Sequence, residues 1–182
     1  MLGKLLFAVM IFCTPAIVSA QQQSPDLGSK SEAMKKLKFL TGVWEGAGSI
    51  EFGGRRSKFH GRETVELKIG GLALLIEGVH KMNLPNGEER VIHNALGLIT
   101  YNPESKDFQF IAHLSNGRSG TYKAMLTDEN TLQWTLSDSP VGKMRYTINV
   151  NDGKWHEIGE ISEDGKEWVP FFEMQLSKVD RE

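Results

Sequence analysis

Two glutamates stand at apolar positions of strand-like segments, where a carboxyl group could act as an acid or a base. Between residues 59 and 69 every second position is apolar or glycine except Glu63, and Glu157 breaks the same alternation between Trp155 and Ile161. Removing a carboxyl group from water raises its pKa, and a general acid or base near neutral pH needs such a shift. Glu63 and Glu157 are therefore the candidate catalytic residues.

The same two glutamates also allow a structural interpretation. A buried carboxylate is costly unless it is paired or hydrogen-bonded, so each could pair with an arginine, or a bulge could turn it outward. A shift of one residue exchanges the two faces of a strand. Arginines are available at Arg62, Arg90 and Arg145. Both interpretations stay open at the level of the sequence.

Two further segments do not reveal which of their faces is buried. Glu77 lies on one apolar face of its segment and Ile76 on the other. His93 and Asn94 likewise lie on opposite faces of the next segment, each with apolar neighbours. If they face inward, Glu77, His93 or His156 would join the two candidate glutamates.

The histidines have none of the local spacings that bind metal. They form neither an H-x-H nor an HExxH pattern, and most of them are expected at the surface or rim. No cofactor is predicted, and a metal or haem site would need ligands from neighbouring strands. His93 and His156 are the candidates for such a site among His60, His80, His93, His113 and His156.

Other nucleophile and phosphate motifs are missing. The single cysteine, Cys13, lies in the N-terminal segment, and no G-x-S-x-G elbow occurs. The glycine clusters GGLA at residue 70 and GRSG at residue 117 are not followed by a helix, which predicts hairpin turns and not phosphate cradles. Cysteine or serine catalysis is not expected.

The N-terminus is typical of an exported protein. Residues 1–20 combine a positive Lys4, an apolar core and a small-residue cleavage site at residues 18–20, as secretory signal peptides do. The apolar run is about half the length of a membrane span, so no stable anchor is expected after cleavage in the periplasm or outside the cell. Residues 21–31 read as a flexible leader and 32–180 as one domain.

The pattern of the domain predicts an all-β fold. A short helix with capping-box spacing at Ser29 and Glu32 is followed, after Gly42, by about ten segments of period-two alternation. Short turn signals such as NDGK join them, so neighbouring strands should pair antiparallel. Such a sheet closes readily on itself, and we predict a roughly ten-stranded up-and-down barrel with a capping helix. A two-sheet sandwich is the alternative.

The helix and the motif G-x-W-x-G-x-G (Gly42, Trp44, Gly46, Gly48) ahead of such a meander resemble the calycin group. The layout is most similar to nitrobindin-like barrels and to bacterial exported domains of unknown function, over about residues 35–178. Lipocalin-like barrels share the Gly-x-Trp part of the motif. The resemblance implies a barrel with a lumen ligand. Nitrobindin-type barrels hold haem through a histidine on the last strand, but residues 167–178 contain none.

The lumen of such a barrel is the predicted binding site. Trp44 is expected to close one end beside Leu37 and Leu40. Gly46 and Gly48 are expected to leave open space above it, or only to let the strand coil tightly at a barrel corner. The predicted lining residues are Trp44, Gly46, Gly48, Phe59, Glu63, Phe110, Tyr122, Tyr146, Trp155 and Glu157.

Four functions follow as hypotheses, and the last of them is a structural or interaction protein with a filled barrel and a working outer surface. The first is an exported barrel that binds a small hydrophobic or amphipathic ligand, without enzymatic activity. The second is an enzyme that uses lumen carboxylates for acid–base chemistry, of the isomerase, cyclase or hydratase type. The third is haem binding of the nitrobindin type. The formal net charge of −2 and the lack of a basic block argue against nucleic acid as a partner, and the oligomeric state is left open.

Overall fold

The computed structural model describes residues 26–137 and 142–180, and ten antiparallel strands form one closed barrel within these ranges. The predicted signal peptide and residues 21–25 of the predicted leader lie outside the described residues. The strands are β1 (Gly42–Phe52), β2 (Arg55–Lys68), β3 (Ala73–Asn83), β4 (Glu89–Asn102), β5 (Asp107–Leu114), β6 (Ser119–Asp128), β7 (Thr131–Leu136), β8 (Lys143–Asn151), β9 (Lys154–Ser162) and β10 (Val169–Val179).

Each strand pairs with its neighbours in the chain, and β10 returns to pair with β1. The closing register places Val43 opposite Val179 and Ile50 opposite Phe172. Closure leaves no free sheet edge along the paired stretches. The predicted up-and-down barrel is therefore confirmed, and the sandwich alternative is wrong.

A helix covers one end of the barrel, as predicted, but it begins differently. Helix α1 spans Leu27–Lys35, and Asp26 caps it by accepting a 3.0 Å hydrogen bond from the backbone N–H of Ser29. The expected capping box on Ser29 and Glu32 is therefore wrong, because an aspartate three residues earlier takes the cap position. A separate 3₁₀ turn, Lys38–Leu40, leads into β1.

The covered end forms a closed floor. Met34, Leu37 and Leu40 are fully buried beneath Trp44, which is itself 1% exposed. The indole Nε1–H of Trp44 donates a 2.9 Å hydrogen bond to the carbonyl oxygen of Leu40. This contact fixes the turn onto the ring, so the expected plug at Trp44 is present.

The expected open space above the two glycines is absent. A Cβ on Gly48 would overlap the ring of Phe59, and one on Gly46 would overlap the backbone of β10 at Gln175 and Leu176. The missing side chains therefore let a ring and a neighbouring strand approach closely, and they do not leave a void.

The interior changes character along the barrel axis. Near the floor, inward residues such as Val65, Leu74 and Ile99 are fully buried. At the opposite end, inward residues such as Phe110 and Tyr146 are partly exposed. Within the described residues no helix covers this end, where the interior meets solvent, and we call it the mouth. No helix in the described part of the chain is long and apolar enough to cross a membrane.

Candidate functional site

The strand register places both candidate glutamates inside the barrel. Glu63 lies opposite Trp44 on one side and Gly78 on the other. Glu157 lies opposite Met174 and Ile148. Both glutamates are buried, at 7% and 8% exposure. The period-two alternation of β2 and β9 thus carries two carboxyl groups into an otherwise apolar wall.

Glu63 is held by a histidine that the sequence left among the surface candidates. Its Oε1 lies 2.9 Å from Nε2 of His80, and the side chains of both residues are less than a tenth exposed. Gly78 makes the arrangement possible, because a Cβ there would lie only 2.6 Å from Oε2 of Glu63. The carboxyl group therefore rests over a bare stretch of backbone.

His80 is buried because the inward face of β3 is the one that carries Leu74, Ile76 and Gly78. Glu77, on the other face, is exposed and does not join the site. The pairing of Gly61 with His80 and of His80 with His93 continues this inward face across three strands. The signal available in the sequence was Gly78, a glycine within an apolar alternation that marks a close approach.

Two histidines and a phenylalanine form a stack beside Glu63. The His80 ring lies 4.7 Å from the centroid of Phe59 on one side and 4.7 Å from that of His93 on the other. His93 is partly exposed at the mouth. The stack therefore leads from solvent to the buried carboxyl group.

Glu157 has a different partner. Its Oε2 accepts a 3.2 Å hydrogen bond from Nε1–H of Trp155, whose ring lies 5.7 Å from that of Trp44. Trp155 and Trp44 thus belong to the floor, and Glu157 stands directly above it. The structural alternative of an arginine partner is not realised. Arg62 pairs with Glu45 and Arg145 with Glu160. Arg90, the third candidate, is exposed.

Burial keeps these groups neutral at pH 7. It raises the pKa of Glu63 to about 8, and burial together with the nearby Glu63 raises the pKa of Glu157 to about 8. Burial also lowers the pKa of His80 and of His93 to about 4. The Glu63–His80 contact is therefore a hydrogen bond between a protonated carboxyl group and a neutral imidazole, because two separated charges would cost more in this environment.

Aromatic rings line the wall around and above the carboxyl groups. Successive ring centroids along this belt are 4.7 to 6.2 Å apart. The belt is contributed by eight strands, and its members in order of contact are His93, His80, Phe59, Phe172, Tyr146, Trp134, Phe110 and Tyr122.

Glycines lie behind several rings of the belt and allow these rings to pack closely against the backbone. A Cβ on Gly159 would lie 2.8 Å from the Tyr146 ring. One on Gly97 would lie 2.5 Å from Phe110. Strands β1 and β9 add no ring to the belt, and they supply Gly48 and Gly159 beneath the rings of their neighbours. This pairing of ring and glycine explains the glycine-rich start of β1 better than an empty lumen does.

The two histidine candidates for a metal lie on opposite sides of the wall. His93 faces the lumen, whereas His156 lies on the outer face, where its Nε2 is 2.9 Å from Oε1 of Glu173. Among the described residues, no group of three or more histidine, cysteine, aspartate or glutamate side chains could hold a metal ion. These two residues therefore do not form one site.

The predicted lining set faces the interior but divides by depth. Trp44, Gly46 and Trp155 belong to the closed floor or its walls. The members nearer the mouth are Gly48, Phe59, Phe110, Tyr122 and Tyr146, with Glu63 and Glu157 below them. His80, Trp134 and Phe172 complete the arrangement and were not in the predicted set.

Comparison with known proteins supports the fold. No protein-family model matches the chain, and no curated protein matches it. Among solved structures, the crystal structure of Rv2717c from M. tuberculosis is similar, with a TM-score of 0.58 and 11% sequence identity over 81% of this chain and 98% of that one. At this identity the similarity concerns the barrel architecture alone.

Proposed function

We propose that this protein binds a small hydrophobic or amphipathic molecule in the mouth half of its barrel. The observation that carries the proposal is the aromatic belt. Its rings near the mouth, such as Phe110, Trp134 and Tyr146, are partly exposed and not fully buried by their neighbours. Ligand sites are typically apolar concavities with a few convergent polar groups. Here the polar groups are the carboxyls of Glu63 and Glu157.

Access to the polar groups supports the same proposal. The side chain of Glu63 keeps 9% of its surface accessible although it lies well inside the wall. A water molecule can therefore still reach it. A calycin-like or nitrobindin-like assignment is part of the proposal, and the barrel architecture shared with Rv2717c is compatible with it. Export through the predicted signal peptide is also part of the proposal and rests on the sequence of residues 1–20 alone.

A neutral fluorescent probe tests the proposal. N-phenyl-1-naphthylamine should bind saturably, gain emission and quench Trp134 in the belt. Phe110→Ala should weaken binding severalfold, because it removes a ring from the belt. Met125→Ala, on the outer face of the neighbouring strand, is the matched control and should bind as the parent does. A protein that binds neither this probe nor any member of a lipid and dye panel would overturn the proposal.

Acid–base catalysis is the second candidate, favoured by the Glu63–His80 hydrogen bond. A proton can sit on Oε1 of Glu63 or on Nε2 of His80, and a carboxyl pKa near 8 suits proton transfer at neutral pH. Exchange of α-protons of a ketone panel in D2O, followed by ¹H NMR, would detect such activity. Activity that persists undiminished in Glu63→Gln and Glu157→Gln would exclude these carboxyls as the catalysts.

Haem fits the described residues poorly. His93 is the only one of the two candidates that faces the lumen, and its ring is stacked on His80. Haemin titration should therefore give no Soret shift that depends on His93, and a shift lost in His93→Ala would contradict this assessment.

A further inference from the structure

The described interior wall carries acidic side chains without lysine or arginine side chains to balance them. Between the floor and the mouth, the inward positions carry two carboxyl groups and no lysine or arginine within the described residues. Basic residues at inward positions occur only toward the two ends of the described barrel, and all of them are exposed. They are Lys178 beside Trp44 at the floor end, Arg55 at the start of β2, and Arg90 opposite Met82 near the mouth. Neither glutamate therefore has a cationic partner of its own.

The groups around the two carboxyls are all neutral or weakly polar. Glu63 meets His80, with His93 behind it, and Glu157 meets the indole N–H of Trp155. The hydroxyl of Tyr146 is another titratable group near Glu157, and the pKa of Tyr146 is raised by burial, by Glu157 and by the neighbouring Tyr122. A carboxylate in this position lacks only a counter-charge.

The belt supplies the second half of a cation site. Electron-rich ring faces attract organic cations, and sites for quaternary ammonium groups are commonly built as aromatic cages. Trp134 and Tyr146 stack with centroids 5.1 Å apart, and Tyr146 also contacts Phe172, the ring next to it in the belt. Tyr146 lies opposite Gly159, two residues along β9 from Glu157 toward the mouth, so these rings lie just above the Glu157 carboxyl group.

We propose that the lumen binds an amphipathic organic cation, with the charged group near Glu63 and Glu157 and the apolar part against the belt. This inference rests on the function proposed above and names its ligand class. The cation takes the place of a proton, so binding releases a proton from the protein. The affinity for the cation therefore rises with pH. It levels off above the pH at which the carboxyl groups are already ionised in the unliganded protein.

Benzyltrimethylammonium is a suitable probe because it has no titratable proton of its own. Its uncharged carbon isostere, neopentylbenzene, and the anion benzylsulfonate are matched controls for shape. We expect the cation to bind at least tenfold more tightly than the isostere at pH 8.5. Its affinity should rise by up to about tenfold per pH unit between pH 6.5 and 8. Calorimetry in two buffers with different ionisation enthalpies should detect the released proton.

Variants assign the effect to the lumen. Glu63→Gln and Glu157→Gln keep the size and the neutral state of each group, so circular dichroism at pH 7 should be unchanged. Each should reduce proton release and the preference for the cation. Glu173→Gln, on the outer face, should leave both unchanged.

The outcomes separate this inference from the function on which it rests. Equal affinity for cation and isostere, or cation binding without proton release, overturns the cation site. Binding of N-phenyl-1-naphthylamine without binding of the cation overturns the inference and keeps the lumen function. Failure of both probes overturns both.

Discussion

Two glutamate–histidine pairs in this barrel have the same length and opposite surroundings. Glu63 and His80 are 2.9 Å apart inside the wall, and Glu173 and His156 are 2.9 Å apart outside it. The inner side chains are 9% and 8% exposed, and the outer ones 46% and 41%. The pKa of Glu63 is raised to about 8 by burial, whereas the hydrogen bond from His156 lowers the pKa of Glu173.

The environment, and not the contact, decides the protonation state of such a pair. Outside, water and neighbouring dipoles stabilise the carboxylate of Glu173, and the hydrogen bond from His156 can therefore lower its pKa. Inside, the free-energy cost of burying a charged carboxylate exceeds the stabilisation that one neutral imidazole provides. The inner pair therefore holds a proton that a ligand can displace, and the outer pair is an ordinary surface contact.

The largest expected effect is on the pH dependence of stability. Glu63 and Glu157 have raised pKa values in the folded protein, so their contribution is fully present below about pH 4.5 and is lost as pH rises through about 8. His80 and His93, with lowered values, act oppositely between about pH 4 and 6.5. The free energy of unfolding should be nearly level from pH 4.5 to 6.5 and then fall by on the order of 3 kcal/mol up to pH 8.

Urea unfolding at pH 5, 6.5 and 8 measures this profile. The Glu63→Gln/Glu157→Gln double variant should flatten the decline above pH 6.5, and Glu173→Gln should keep it. A parent protein that is as stable at pH 8 as at pH 6.5 would contradict the buried neutral state.

The next effect concerns the imidazole of the inner pair. His80→Ala removes a ring stacked between Phe59 and His93 and leaves the Glu63 carboxyl without its partner. It should lower the free energy of unfolding at pH 6.5 by about 2–3 kcal/mol. Chemical denaturation measures it, and a loss below half that size would mean that water replaces the imidazole.

Gly78→Ala tests the backbone beneath the inner pair. The new methyl group would lie 2.6 Å from Oε2 of Glu63, so the carboxyl must move. We expect a loss of about 1–2 kcal/mol. A shift of the His80 resonances in ¹⁵N-detected NMR spectra should accompany it. Unchanged His80 resonances would show that the glycine does not position the pair.

The smallest effect belongs to the outer pair. His156→Ala should change the free energy of unfolding by less than about 0.5 kcal/mol, because exposed ion pairs contribute little. It should leave probe binding unchanged. A loss comparable to that of His80→Ala would remove the distinction between the two pairs.

The barrel and its two glutamates were predictable because both depend on local patterns. Alternation with short turns predicts neighbouring antiparallel strands, and an acidic residue on an apolar face, such as Glu63, is visible without any tertiary contact. The segment of β3 was ambiguous because both of its faces are apolar, as Leu74 and Leu75 illustrate. That ambiguity concealed His80.

The aromatic belt depends on contacts that the sequence does not contain. Phe59 meets Phe172 across the strand β1 that lies between them, 113 positions away in the chain. Gly48 was correctly placed on the inward face, but what fills the space above it depends on a ring from the next strand. Register across a closed sheet, and not local propensity, creates this feature.

The most direct measurement is a pH titration of the glutamate side-chain carboxyls by ¹³C NMR. Two resonances should titrate near pH 8, one lost in Glu63→Gln and the other in Glu157→Gln, while that of Glu173 titrates below the usual range for glutamate. If every glutamate carboxyl titrates below about pH 5, within the ordinary range, the lumen carboxyls are charged at neutral pH and the account is wrong.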